Sequence, residues 1–209
     1  MTYTTSEIGF IRGDQKALVD AFLDWQSRIF RPLGWQLQVA GGSGLDGGLG
    51  ELMVRATAPI TRHLFVRAGN GWIAYFDNGP HGTDAAAVLP QLALRTKSAA
   101  VRFVCSEKVP DERRPSFLKG NSRYPARIFE RFNGSDDADR VLCSANDGGK
   151  WKHSQYGDTL GKEDELIGTV DKENPLTCQK LERLLSSFGI HAFDESWYGD
   201  TWSLVRKER

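Results

Sequence analysis

Asp77-Asn-Gly-Pro-His81-Gly-Thr-Asp84 is the short stretch of this 209-residue chain in which residue types used for catalysis stand together. The local pattern places Asp77 at the end of a strand, His81 in a turn and Asp84 at the opening of a helix. Two carboxylates and an imidazole can ligate a metal or share acid–base work. The same residues also have ordinary structural uses, because Asp ends strands and turns, and Asp or Thr caps helices. The stretch has no HExxH, no second His close in sequence and no characteristic ligand spacing. Capping and turn formation account for it, so no catalytic residue, metal or cofactor is expected. Asp77, His81 and Asp84 carry only an alternative reading, that of a small hydrolase or transferase.

Other nucleophiles and cradles are weaker. Cys105, Cys143 and Cys178 are odd in number and 38 and 35 residues apart, which excludes a CxxC metal site and a disulfide framework. Each lies in an apolar or periodic setting, so all three are expected to be reduced, buried and inert in a reducing cytosol. No Ser sits in GxSxG. His153 alternates with Trp151 along one strand face, and His191 follows a helix end; both settings are ordinarily structural. Six of the ten residues Gly41–Gly50 are Gly. A phosphate cradle would need the Lys-Ser/Thr of a Walker loop, which is missing, so a flexible connection is expected.

Charge gives the better functional clue. Residues 1–94 carry 7 basic and 8 acidic side chains, residues 95–131 carry 10 and 4, and residues 132–209 carry 10 and 15. The chain is neutral overall, but a basic block precedes an acidic one, a pattern that makes complementary surfaces. Within the basic block, residues 107–126 have three prolines (Pro110, Pro115, Pro125), scattered charge and no period. A long loop of this kind inside a compact chain is commonly functional. Arg113, Arg114, Phe117, Lys119, Arg123 and Tyr124 are its partner-binding candidates, because Arg and aromatics dominate interface energetics. With Arg95, Lys97, Arg102, Arg127 and Arg131 they also make a third reading, a single-stranded nucleic-acid binder. The neutral whole and the lack of an RNP, zinc or helix-turn-helix signature weigh against that reading.

Gly71-Trp-Ile-Ala-Tyr-Phe-Asp-Asn-Gly79 followed by Gly82-Thr-Asp84 resembles a motif of an uncharacterised bacterial protein group. Ala145-Asn-Asp-Gly-Gly-Lys-Trp151 and the segment Phe188–Glu195 are similar to later segments of that group, so the resemblance spans roughly residues 60–200. It implies a bacterial cytoplasmic protein and no assigned activity. Small aromatic-rich α+β proteins without a catalytic signature are also similar in style to immunity proteins that neutralise toxins, an analogy of type alone.

The elements that must hold these residues follow from period and punctuation. Leu18, Phe22, Trp25 and Ile29 recur at helical spacing, Asp14 is an N-cap, and Pro32 and Gly34 stop the helix. Residues 63–67 and 72–77 make a hairpin around Asn70-Gly71, with Trp72, Ala74 and Phe76 on one face and Ile73 and Tyr75 on the other. Bulk on both faces predicts a place inside a sheet. A helix over 84–97, interrupted by Pro90, leads to a strand at 99–105. Strands at 127–133, 139–145 and 150–156 form a meander. Residues 157–173 give no clear pattern. A last helix is predicted from the Asn174-Pro175 cap to Gly189, with Cys178, Leu181, Leu185 and Phe188 facing inward. An edge strand at 201–206 closes the chain.

The composition is that of an ordinary globular protein, with 40 % hydrophobic and 26 % charged residues. No apolar run approaches the ~18 residues of a spanning helix, and the N-terminus lacks the regions of a secretory signal, so no membrane role is expected. The sequence therefore predicts a single α+β domain over 1–209. Its core is a single mixed, mostly antiparallel sheet of about six or seven strands covered by about three helices. The expected function is a non-catalytic protein-binding module of the bacterial cytoplasm, of the immunity-inhibitor type, acting by occlusion. Another protein is the expected partner.

Overall fold

The computed structural model of the chain describes residues 7–52, 61–78, 84–106, 125–147 and 149–208. Its strands are β1 (Glu7–Arg12), β2 (Gln36–Ser43), β3 (Arg62–Ala68), β4 (Trp72–Asp77), β5 (Ala99–Ser106), β6 (Ala126–Asn133), β7 (Ala138–Asp147), β8 (Lys150–Gly157) and β9 (Tyr198–Glu208). All nine lie in one sheet, in the order β2-β9-β3-β4-β1-β5-β6-β7-β8. Every pairing is antiparallel. The helices are α1 (Gln15–Phe30), α2 (Leu45–Leu52), α3 (Asp84–Thr96), α4 (Glu163–Ile167) and α5 (Cys178–Ser187). The α+β class and single sheet agree with the sequence reading. The count of strands and helices, and the mixed pairing, do not.

Three layers result. One face of the sheet buries Phe10, Leu64, Trp72, Phe76, Phe103, Phe129 and Leu142 against Leu49 and Leu52 of α2, Ile167 of α4 and Leu181, Leu184 and Leu185 of α5. The opposite face buries Ile11, Phe65, Ile73 and Tyr75 against Leu18 and Phe22 of α1 and Val88, Leu89 and Leu92 of α3. The alternation expected along β4 is thus realised on both faces, and β3 and β4 are interior strands. Their turn uses the positive φ of Asn70 (58°) and Gly71 (74°). No helix among the described residues is long and apolar enough to cross a membrane.

Four local readings are corrected. The glycine run is not a loose connection: it forms the end of β2 and most of α2. A Cβ on Gly42 would stand 2.3 Å from the Trp202 ring, and one on Gly48 would stand 3.0 Å from it. These glycines let an indole lie flat where side chains would collide, which is packing rather than a phosphate cradle. The C-terminal strand is longer than expected and not an edge, because β9 sits between β2 and β3. In α1, Trp25 is only partly buried and Ile29 is 44 % exposed, while Val19 and Gln26 turn inward. The last helix starts three residues later than predicted, at Cys178. Its cap is Thr177, whose Oγ1 accepts from Lys180 N at 3.2 Å. Asn174 instead donates to the carbonyls of Ile167 and Thr169, closing the turn after α4.

Candidate functional site

Asp77 ends β4 directly opposite His63 of β3. His81 and the side chain of Asp84 lie outside the described residues, so the proposed Asp77–His81–Asp84 constellation is not assembled by what the structure describes. His63 itself is enclosed. Its Nδ1 lies 2.7 Å from the Tyr75 hydroxyl, and its ring packs at 4.7 Å from Phe22. Burial, with the Lys207 ammonium adding to it, lowers its pKa to about 3. A neutral imidazole with no route to solvent holds the core together and does not exchange protons with a substrate.

The partner-binding candidates Arg113, Arg114, Phe117, Lys119, Arg123 and Tyr124 also lie outside the described residues. The roots of their segment are described. Ser106 and Ala126 pair across β5 and β6, Ser106 Oγ accepts from Ala126 N at 3.0 Å, and Arg127 Nη1 donates to the Ser106 carbonyl.

At this end of the sheet, register brings together residues that the sequence holds far apart. Cys105 pairs with Arg127, Arg127 with Ser144, and Ser144 with His153. Cross-strand partners share a face, so these four form one row over β5, β6, β7 and β8. Residues 172–179 close over the row and leave a groove of about 400 Å³, lined by Arg127, Trp151, His153, Lys172, Leu176 and Cys178 among others. Among the described residues no carboxylate is in the lining. The Arg127 guanidinium sits 5.8 Å over the Trp151 ring, and the N-terminus of α5 adds partial positive charge. Trp151 is 39 % exposed. The groove opens beside β8, which among the described residues is an edge strand of the sheet and whose residues are mostly exposed.

Ser144 and His153 are hydrogen-bonded at 2.7 Å, a pairing that elsewhere activates a nucleophile. Here Ser144 is wholly buried, and its Oγ also accepts from Leu176 N at 3.3 Å. The hydroxyl therefore fastens residues 174–177 to the sheet and offers no face to a substrate. Among the described residues no group of three or more His, Cys, Asp or Glu is placed to hold a metal.

The cysteines overturn the sequence expectation. Cys105 and Cys178 form a disulfide, with Cα atoms 5.8 Å apart and 73 residues between them in sequence. Both are only half-buried, and so is Cys143. Cys143 follows the opposite face of β7, where burial pushes its thiol up, the Glu130 carboxylate adds to the shift, and a Ser154 hydrogen bond and Arg102 oppose it. Sequence spacing could not reveal the disulfide, because it depends on α5 docking over the end of β5.

The basic block is partly neutralised inside the fold. Arg102 pairs with Glu7 at 2.7 Å and with Glu130 at 2.9 Å, and Arg131 pairs with Asp139. Arg102 and Arg131 are thereby poorly placed to track a phosphate backbone.

A larger cleft, about 740 Å³, lies between α1 and the sheet. Its polar groups already serve the fold: Asp14 caps α1, Gln15 donates to the Phe65 carbonyl, and Asn70 donates to the Gly189 carbonyl. Lys16 and Asp20 pair with each other across its rim.

Comparison of the chain with family models, curated proteins and solved structures finds no match.

Proposed function

We propose that this protein is a non-catalytic protein-binding module of the bacterial cytoplasm, of the immunity-inhibitor type, which acts by covering a site on its partner. The observation that carries the reading is the groove at β8: among the described residues, a lining with cations and without carboxylates, an exposed indole, and an edge strand beside it. An exposed edge invites β-augmentation, in which a partner segment adds main-chain hydrogen bonds while pockets read its side chains. The ligand that suits this groove is an extended acidic segment. Its backbone would run along β8, one carboxylate would face Arg127 and Lys172, and an apolar neighbour would rest on Trp151. Indole and guanidinium anchors of this kind account for most of the energy in protein interfaces. Arg113, Arg114, Phe117, Lys119, Arg123 and Tyr124, which lie outside the described residues, belong to the same reading by residue type alone.

The test is capture of partners from native lysate of the source organism on three immobilised proteins: wild type, Trp151→Ala and Lys172→Glu. The expected result is an acidic protein held by wild type, lost or weakened by both substitutions, and released by salt. Circular dichroism and thermal unfolding should be nearly unchanged, because both side chains are exposed. Identical partner profiles from all three proteins refute the reading. Salt-sensitive binding of a labelled oligothymidylate that Lys172→Glu weakens, with no captured protein, would transfer the groove to the nucleic-acid reading.

A further inference from the structure

We propose that the Cys105–Cys178 disulfide is a reversible thiol–disulfide exchange site, reached through the β8 groove by small thiols. The inference is independent of what else docks there. A disulfide that serves only as a staple is best enclosed. This one is half-buried, and Cys178 is part of the groove lining. In the proposed reaction the incoming thiolate reaches the Cys178 sulfur through this groove.

The charges around the bond favour each stage of exchange. A thiolate is attracted to a lining that holds Arg127 and Lys172 and, among the described residues, no carboxylate. Cys178 is the first residue of a ten-residue helix, where free backbone N–H groups stabilise negative sulfur. Cys105 stands across from Arg127 in the sheet register, so the residue whose sulfur leaves shares a face with a cation. Cys143 lies on the other face of β7 and takes no part.

The chemistry is a pair of displacements. A small thiolate attacks the Cys178 sulfur, the Cys105–Cys178 bond breaks, and its electron pair leaves on Cys105. This gives a mixed disulfide at Cys178 and a Cys105 thiolate beside Arg127. A second thiolate then attacks the sulfur of the bound small thiol, releasing the small disulfide and the Cys178 thiolate. Two small thiols are oxidised to one disulfide, and the protein disulfide is reduced to two thiols, each of which takes up a proton from solvent. Reduction removes the covalent clamp between the end of β5 and the start of α5, and so loosens one wall of the groove.

The experiment uses the full chain, purified without reductant, and reduced glutathione as the probe. Aliquots are quenched in acid and read by intact mass, with alkylation to count thiols. In native buffer the bond should react within about tenfold of its rate in urea-unfolded protein. Early time points should contain a single glutathione adduct that peptide mapping places on Cys178. A Cys105→Ser variant has no disulfide for reduced glutathione to attack; given oxidised glutathione instead, its Cys178 thiolate should displace one glutathione and keep the other as a lasting adduct, because the resolving thiol is gone. Lys172→Glu should slow the native reaction several-fold and leave the unfolded reaction unchanged. If Cys105→Ser does not fold, the wild-type time course still decides the site of attack. Native protein that resists glutathione about a thousandfold more than unfolded protein would show a structural staple and overturn the proposal. So would an adduct on Cys105 or Cys143, or free thiols at all three positions in protein purified without reductant.

Discussion

Glu163→Gln should be among the most damaging single substitutions in this fold. Arg140 on β7 and Glu163 on α4 are 3 % and 2 % exposed and form a two-bond ion pair. Arg140 also donates to the carbonyls of Tyr156 (3.2 Å) and Gly157 (2.8 Å) and to Gln155 Oε1 (3.0 Å), and Glu163 accepts from Leu160 N (3.2 Å). One guanidinium thus ties edge strand β8 to the segment that covers it. Replacing the carboxylate by an amide keeps the shape and leaves a buried positive charge without its counter-ion, which costs about 3–5 kcal/mol. With a urea slope of about 2–3 kcal/mol/M, the unfolding midpoint should fall by roughly 1–2 M. Replacing both partners, as Arg140→Met with Glu163→Leu, removes both buried charges. The double variant should lose less than the sum of the singles by about 2 kcal/mol or more. Urea unfolding followed by tryptophan fluorescence measures wild type, Glu163→Gln, the Arg140→Met and Glu163→Leu singles and the double variant. A Glu163→Gln loss below about 1 kcal/mol, or strict additivity, would refute the account, because it would mean that water already screens the pair.

Three further outcomes are expected. His63 is neutral in the folded protein down to about pH 3, whereas the unfolded chain binds its proton below about 6.5, so stability should fall as pH drops through that window, by up to ~1.4 kcal/mol per pH unit. A His63→Gln variant should flatten this slope, and urea midpoints between pH 7 and pH 4 provide the check. Gly42→Ala should cost about 1–3 kcal/mol by driving a methyl group into the Trp202 ring, with a changed near-ultraviolet spectrum as the sign of a displaced indole. Asp14→Ala removes the acceptor for Ala17 N (3.0 Å) and should cost about 1 kcal/mol in thermal unfolding, with the fold unchanged.

What the sequence determined by itself is local. The period of Leu18 and Phe22, the Asp14 cap, the Asn70-Gly71 turn and the alternation of Trp72 to Phe76 are each written within a few residues, and the structure follows them. The β6–β8 meander was legible for the same reason, since short turns connect neighbouring strands. β1 and β2 were not legible. β1 is a six-residue strand that is stable because β4 and β5 flank it, and β2 contains glycines whose purpose appears only when Trp202, far along the chain, packs on them. The start of α5 was misread because Asn174-Pro175 reads locally as a cap, whereas in the fold Asn174 docks on the α4 turn and Thr177 caps the helix. The candidate site shows the same division. Trp151 and His153 could be placed on one strand face from alternation, but their meeting with Arg127, Ser144 and Cys105 depends on the register of four strands. The Cys105–Cys178 disulfide depends further on where a helix lands on that sheet. Cap, turn and period are set by neighbours in the chain; register and docking are set by burial shared among segments up to 188 residues apart, as the Gln15–Ser203 hydrogen bond illustrates, and that burial exists only once the whole sheet has formed.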